Sequence, residues 1–167
     1  MKYKNERIQK VCDTLFDLSI EFKYHEHPPV PTVREAKKYW ADIESAHCKN
    51  LFFRNHKGNK HYLVLIDYRQ TLVIKDLEQR LRQGKISFAS DKRLTKYLGL
   101  KAGSVSPFGL INDEEKHVHV FIDQNLRAVD RISFHPNDNT ATLVISTQDF
   151  KKFLIQTGNK FEFIKLY

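Results

Sequence analysis

From Lys4 to Leu18 the apolar residues Ile8, Val11, Cys12, Leu15 and Leu18 recur every three or four positions, which predicts an amphipathic helix packed on a core by one face. Alternation through Ile20, Phe22 and Tyr24 predicts a strand, which the Pro28-Pro29-Val30-Pro31 run must end. Thr32 precedes Glu35 at the spacing of a capping box, so a second helix carrying Val33, Ala36 and Tyr39 should start there. Leu51-Phe52-Phe53 and Tyr62-Leu63-Val64-Leu65-Ile66 flank the polar Asn55-His56-Lys57-Gly58-Asn59, the pattern of a hairpin with a positive-φ glycine at its tip. Lys49 then lies where the first of these strands begins. Asp76 to Gln83 predicts a helix stopped by Gly84, Ile86-Ser87-Phe88 a short strand, and Asp91 to Leu98 a helix stopped by Gly99. Val118, Val120 and Ile122 alternate as a strand. Ile132 to Phe134 and Leu143 to Ile145 predict a second hairpin around Asn137-Asp138-Asn139, before a helix from Gln148 to Gln156 and a strand through Phe161-Phe163-Ile164.

Many short strands joined mostly by turns, with helices gathered toward the ends, predict an α+β fold with a largely antiparallel sheet. No repeat, low-complexity tract or linker interrupts the chain, so residues 1–167 are expected to form one domain. At 167 residues and 41% hydrophobic content, such a domain can bury roughly 70% of its unfolded surface without a disulfide or metal. Cys12 and Cys48 form no CxxC pair and follow no secretion signal, which points to free thiols in the cytoplasm. The longest strongly apolar run, Tyr62 to Ile66, falls far short of the roughly 20 residues of a membrane span, so no membrane partner is expected. A net charge of +8 and a pI near 9.4 favour polyanionic partners. The cations cluster: Arg54, His56, Lys57, Lys60 and His61 fall at one turn, and Lys92, Arg93, Lys96 and Lys101 precede a glycine loop. Such clusters supply affinity for phosphate without sequence information, and a merely solvated basic face fits them equally.

That loop, Gly103-Ser104-Val105-Ser106-Pro107-Phe108-Gly109, packs two glycines, two serines and a proline into seven residues. Glycine permits positive φ and close approach, proline fixes direction, and successive amides can converge on an anion or a polarised carbonyl. An oxyanion site and a plain turn both fit this composition. Other chemistry is less well supported. The pairs His25/His27 and His117/His119 lack a local third ligand at a recognised metal spacing, so no metal is expected. Ser104 or Ser106 as a nucleophile would lack the G-x-S-x-G elbow. Cys48 sits between His47 and Lys49, but adjacent strand residues point to opposite faces, and core packing suits it better. Lys49, in an otherwise apolar segment, either snorkels to water or holds an anionic partner.

Three blocks, Cys48-Lys49-Asn50-Leu51-Phe52, Gly103 to Leu110 and Phe134-His135-Pro136-Asn137 through Thr142, together with His27-Pro28-Pro29-Val30, occur in the order and spacing of a known family. Over nearly its whole length the chain resembles the free-standing aminoacyl-tRNA deacylases of the YbaK/prolyl-tRNA synthetase editing-domain superfamily, most closely the alanyl-tRNA(Pro) deacylase branch. The resemblance implies a curled mixed, mostly antiparallel sheet of six to seven strands flanked by helices, with a pocket at its open side. It implies hydrolysis of a mischarged ester by a positioned water assisted by a ribose hydroxyl of the tRNA, without a cofactor. Carried over, Lys49 holds the charged tRNA end, and the Gly103 and Ser104 backbone faces the ester carbonyl. Asn50, Thr32 and Ser106 help bind, Pro107 and Phe108 fix the pocket wall, and His135 stands at its edge. The implied partner is the acceptor end of tRNA(Pro), with prolyl-tRNA synthetase as a second. A cysteinyl-tRNA(Pro) deacylase and a non-catalytic tRNA-binding module are the alternatives. Arg34, where an acidic residue is common, and the Asp113 to His119 turn depart from the family pattern.

Overall fold

The structure, a computed structural model, describes residues 2–167. Five helices, α1 (Glu6–Asp17), α2 (Val33–Trp40), α3 (Ile74–Leu81), α4 (Asp91–Leu98) and α5 (Thr147–Thr157), surround one mixed sheet. Its strands are β1 (Lys23–Glu26), β2 (Ala46–Asn55), β3 (His61–Asp67), β4 (Ile86–Phe88), β5 (His119–Asp123), β6 (Arg131–Phe134), β7 (Ala141–Ser146) and β8 (Phe161–Ile164). They run in the order β1-β7-β6-β2-β3-β5-β8, with β4 a branch on β2. The α+β class holds, with eight strands among the described residues rather than six or seven. Four of the seven pairings are antiparallel, while β2–β6, β3–β5 and β5–β8 are parallel.

Local signals placed most elements. Asn5 caps α1 by accepting from the Ile8 amide, and Thr32 caps α2 by accepting from Glu35 N at 3.3 Å, as its spacing predicts. Gly58 takes φ +72° at the β2–β3 tip and Gly99 φ +65° after α4, where a side chain would be strained. The first strand differs from expectation. Ile20 is buried where the chain leaves α1, its amide bonded to the Leu15 carbonyl, so pairing starts only at Lys23. Helix α3 ends at Arg82, left-handed at φ +55°, before Gly84 is reached.

The apolar run of β3 is explained by burial on both faces. Leu63 and Leu65 join a cluster with α1, α4 and α5, while Tyr62, Val64 and Ile66 pack against Leu77 and Leu81 of α3 on the other side. Phe108, in a 3-10 turn over Pro107–Asn112, fills the first cluster and meets Phe134 and Phe153 edge-on.

Strand β2 is the hub. One edge pairs with β3 along Cys48 to Arg54. The opposite edge pairs with β6 only at Ala46 and His47, and with β4 only from Phe53 to Asn55. Between these short neighbours the stretch from Cys48 to Leu51 has no strand on this edge among the described residues, and the sheet is open there.

Candidate functional site

A cavity of about 300 Å³ occupies that opening. Its floor is Cys48, Lys49, Asn50 and Leu51 of β2; α2 and the segment before it supply Val30, Pro31, Thr32, Val33, Ala36 and Trp40. Gly103, Val105 and His135 close the rim. The three sequence blocks, separated by some fifty and thirty residues along the chain, thus meet at one hollow.

Lys49 is half-buried inside β2, not at its start, and its Nζ donates to the Gln70 carbonyl at 2.7 Å. An ammonium has three donors, so two remain for another partner. Asn50 ties the glycine loop down: its Nδ2 donates to the Val105 carbonyl at 3.0 Å, while its buried Oδ1 has no partner among the described residues. Gly103 takes φ +83°, and a Cβ there would lie 3.3 Å from both Cα and O of Pro31, so this close crossing of two backbones requires glycine. No protein acceptor among the described residues takes its amide.

His135 places Nδ1 2.7 Å from the Ala141 carbonyl, which can only accept, so the proton sits on Nδ1 and Nε2 keeps its lone pair. Burial pushes its pKa below the usual imidazole value, against the opposing pull of the Ala141 contact, and holds the ring neutral near pH 7. Nearby His27 is pinned between the Pro28 carbonyl and the Thr142 hydroxyl.

Other expected members lie elsewhere. The Ser104 amide is spent on the Lys101 carbonyl at 3.1 Å. Ser106 is fully buried, its Oγ accepting from Phe108 N to start the 3-10 turn, and Pro107 is the first residue of that turn. None of these three, nor Phe108, lines the cavity: they are the base on which the loop stands. Steric demand explains this, since Gly109 packs so tightly on Leu98 and Leu100 that the turn must seat in the core. Arg34 is exposed on α2 and does not line the cavity either.

Cavity residues to which the sequence assigned no part in the site are the apolar wall, Pro31, Val33, Ala36, Leu51 and Val105, and Trp40. Trp40 is the one tryptophan of the chain and ends a helix with few other buried positions, a signal available in the sequence. Cys48 also faces the cavity, but burial raises its thiol pKa far above neutrality, leaving it protonated and a poor nucleophile. Among the described residues no group of three or more His, Cys, Asp or Glu is arranged to hold a metal ion. No helix among them is long and apolar enough to cross a membrane.

The two basic segments also converge. Arg93 of α4 donates from Nη1 to the Gly58 carbonyl at 2.8 Å and to His61 Nε2 at 3.0 Å, bringing Lys92 and Lys96 alongside the hairpin that carries His56 and Lys57. His61 is not part of the exposed patch; it is fully buried.

Residues 27–153 match the profile of the aminoacyl-tRNA editing domain family. The chain is 44% identical over 160 residues to the prolyl-tRNA editing protein ProX of Acetoanaerobium sticklandii, covering 95% of this chain and 96% of that protein. It is 31% identical over 154 residues to prolyl-tRNA synthetase associated domain-containing protein 1 of Xenopus laevis, covering 90% and 92%. In fold it superposes on a solved structure described as a candidate trans-editing enzyme for prolyl tRNA synthetase, with a TM-score of 0.71 at 20% identity over 98% of this chain and 99% of that one. With a cavity built where the sheet parts and a match running through all of its blocks, the chain belongs to the aminoacyl-tRNA editing domain family, in the YbaK/prolyl-tRNA synthetase editing superfamily.

Proposed function

We propose that the protein is a trans-acting deacylase that hydrolyses the ester of mischarged aminoacyl-tRNA(Pro), with alanyl-tRNA(Pro) its preferred substrate. The observation that carries this reading is the single cavity in which the Lys49 side chain, the Gly103 turn and an apolar wall meet. The 44% identity to a protein named for prolyl-tRNA editing supports it.

The need for such an enzyme is physical. A synthetase that selects proline cannot reject the smaller alanine by affinity, because missing methylenes in an apolar pocket are worth only about 1–3 kcal/mol. A second cavity that admits alanine and clashes with the proline ring sorts from the other side. Here Val30, Val33, Ala36, Leu51 and Val105 form that sieve. The two unspent donors of Lys49 hold the phosphate or ribose of the charged end and offset negative charge developing on the ester. The Gly103 amide faces the ester carbonyl. Asn50 Oδ1, buried and unpaired, accepts from the substrate's ammonium or hydroxyl, and the lone pair of His135 Nε2 marks the edge where a water or ribose hydroxyl is held. Among the described residues the cavity offers neither a thiolate nor an exposed serine, which fits the positioned water that the family resemblance implies as the attacking group.

Single-turnover deacylation of alanyl-, cysteinyl-, seryl- and prolyl-tRNA(Pro) tests the proposal. Alanyl ester should be cleared fastest and prolyl ester spared; rapid loss of the prolyl ester removes the size sieve, and faster cysteinyl cleavage reassigns the substrate. Lys49→Ala should cut the rate at least about a hundredfold with tRNA affinity nearly intact. A parent without hydrolysis that still binds tRNA would make this a binding module.

A further inference from the structure

A second hollow, about 590 Å³, lies against the first. Trp40 lines both, and β2 continues from one to the other, with His47 in the larger hollow and Cys48 and Lys49 in the smaller. The Asp67 to Gln70 turn bridges them too: Tyr68 lines the larger hollow while the Gln70 carbonyl holds Lys49. The larger hollow is aromatic. Trp40 stacks on His47 at 4.4 Å and 8° between planes, and Tyr68 meets Trp40 edge-on at 5.1 Å. His47 cannot turn, since its Nδ1 contacts the Ser133 hydroxyl at 2.7 Å and its Nε2 the Ile43 carbonyl at 3.2 Å. Trp40 and Tyr68 are only half-buried, so planar, preorganised rings stand open to a ligand.

The polar groups of this hollow match a nucleobase. The exposed Lys37 ammonium lies 5.6 Å above the Tyr68 ring and supplies positive charge at the rim. The Asp67 carboxylate, whose pKa the guanidinium and backbone amide of Arg69 hold below the usual value through three hydrogen bonds, can accept from an exocyclic amine. Independently, the Ser45 hydroxyl lines the hollow, is buried, and has no hydrogen-bond partner among the described residues. A buried hydroxyl left unpaired costs stability unless a ligand completes it. Stacking rings, a nearby cation and unspent polar groups are the means by which proteins hold unpaired bases.

We infer that this hollow is the docking site for the terminal base of the RNA 3′ end, stacked with Trp40 and Tyr68 and hydrogen-bonded by Ser45, while the esterified ribose of the same nucleotide lies at the mouth of the smaller cavity. The placement of the ester rests on the deacylase reading; the base site rests on the aromatic geometry. Specificity for the amino acid and grip on the RNA are thus divided between two adjoining hollows that share one indole.

Because Trp40 is the only tryptophan, its fluorescence reports the site directly. The probe is the uncharged trinucleotide CCA, compared with the same RNA carrying an abasic 3′ terminal sugar. CCA should quench the emission saturably, with affinity about tenfold or more above that of the abasic probe. Ser45→Ala, which removes a hydroxyl that bonds to none of the described residues and so leaves the fold intact, should weaken CCA binding about threefold. Equal quenching by both probes, or a Ser45→Ala protein that binds CCA as tightly as the parent, overturns the inference while deacylase activity stands. Selective quenching in a protein that hydrolyses no aminoacyl-tRNA overturns the deacylase reading and leaves the base site in place.

Discussion

Gly103 and Gly84 form a matched pair for measuring what the crossing at the cavity rim is worth. Both take positive φ, +83° and +77°, so alanine at either forces an L side chain into the left-handed region at about 1–2 kcal/mol. Their surroundings differ. Among the described residues nothing lies within 4 Å of a Cβ at Gly84, whereas at Gly103 it would meet the Pro31 backbone at 3.3 Å. Backbone atoms do not swing aside as a side chain does, so Gly103→Ala must push two chain segments apart, adding about 1–3 kcal/mol of overpacking. For a domain of this size a loss of 1 kcal/mol lowers Tm by about 2–4 °C. Gly84→Ala should thus cost about 2–8 °C, and Gly103→Ala roughly twice as much. Displacement of Pro31 and Gly103, which both line the cavity, should also slow alanyl-tRNA(Pro) deacylation by about tenfold or more, while Gly84→Ala deacylates at the parent rate. Thermal melts and single-turnover rates on the three proteins are the assay. Equal Tm losses, together with a parent-like rate for Gly103→Ala, would refute the claim that the rim is a steric contact between backbones.

Asn50→Ala leaves the Val105 carbonyl without its donor at a cost of about 1–2 kcal/mol, and should lower kcat more than it raises KM; unchanged urea denaturation and kinetics would show that the loop is held by other means. Burial first, then His117, Arg93, Lys96 and Arg54 in that order, lowers the His61 pKa from 6.5 to about 4. Between those values the unfolded chain binds a proton that the folded chain refuses, so this group's contribution is complete above pH 6.5 and is lost as pH falls toward 4. Urea titrations at pH 7.5 and 4.5 should therefore show a smaller acid loss for His61→Gln than for the parent; parallel losses contradict the assignment. Cys12, its pKa pushed up to about 11 by burial, and Cys48, buried and raised as well, should resist iodoacetamide at pH 7.5 with deacylation unaffected, and label only in urea; mass spectrometry detects either outcome.

The elements legible in the sequence were those specified by neighbours in the chain. Thr32 with Glu35, Gly58 between two apolar runs, and Gly99 after Leu98 each fix a cap or turn through local hydrogen bonds or local φ, and each does so in the structure. Ser104, Ser106, Pro107 and Phe108 show the limit. The family resemblance puts them at the pocket, yet Ser106 and Phe108 are fully buried, because a turn rich in small residues can equally be the part of a loop that seats in a core. Which face a loop residue takes depends on partners distant in sequence, here Phe134 and Phe153, and no local pattern encodes that.

By itself the sequence determined an α+β chain with its hairpins and helix caps, a basic surface, and three blocks that carry the family resemblance. Only the tertiary structure decided that β6 and β4 are too short to cover the middle of β2. That shortfall opens the sheet beside Lys49 and lets the Gly103 loop and α2 wall a cavity in the gap. The physical reason is the range of the interactions involved: caps and turns are set within a few residues, whereas strand pairing joins Ala46 to Ile132 and Phe53 to Phe88, and a cavity is the space such distant pairings leave unfilled.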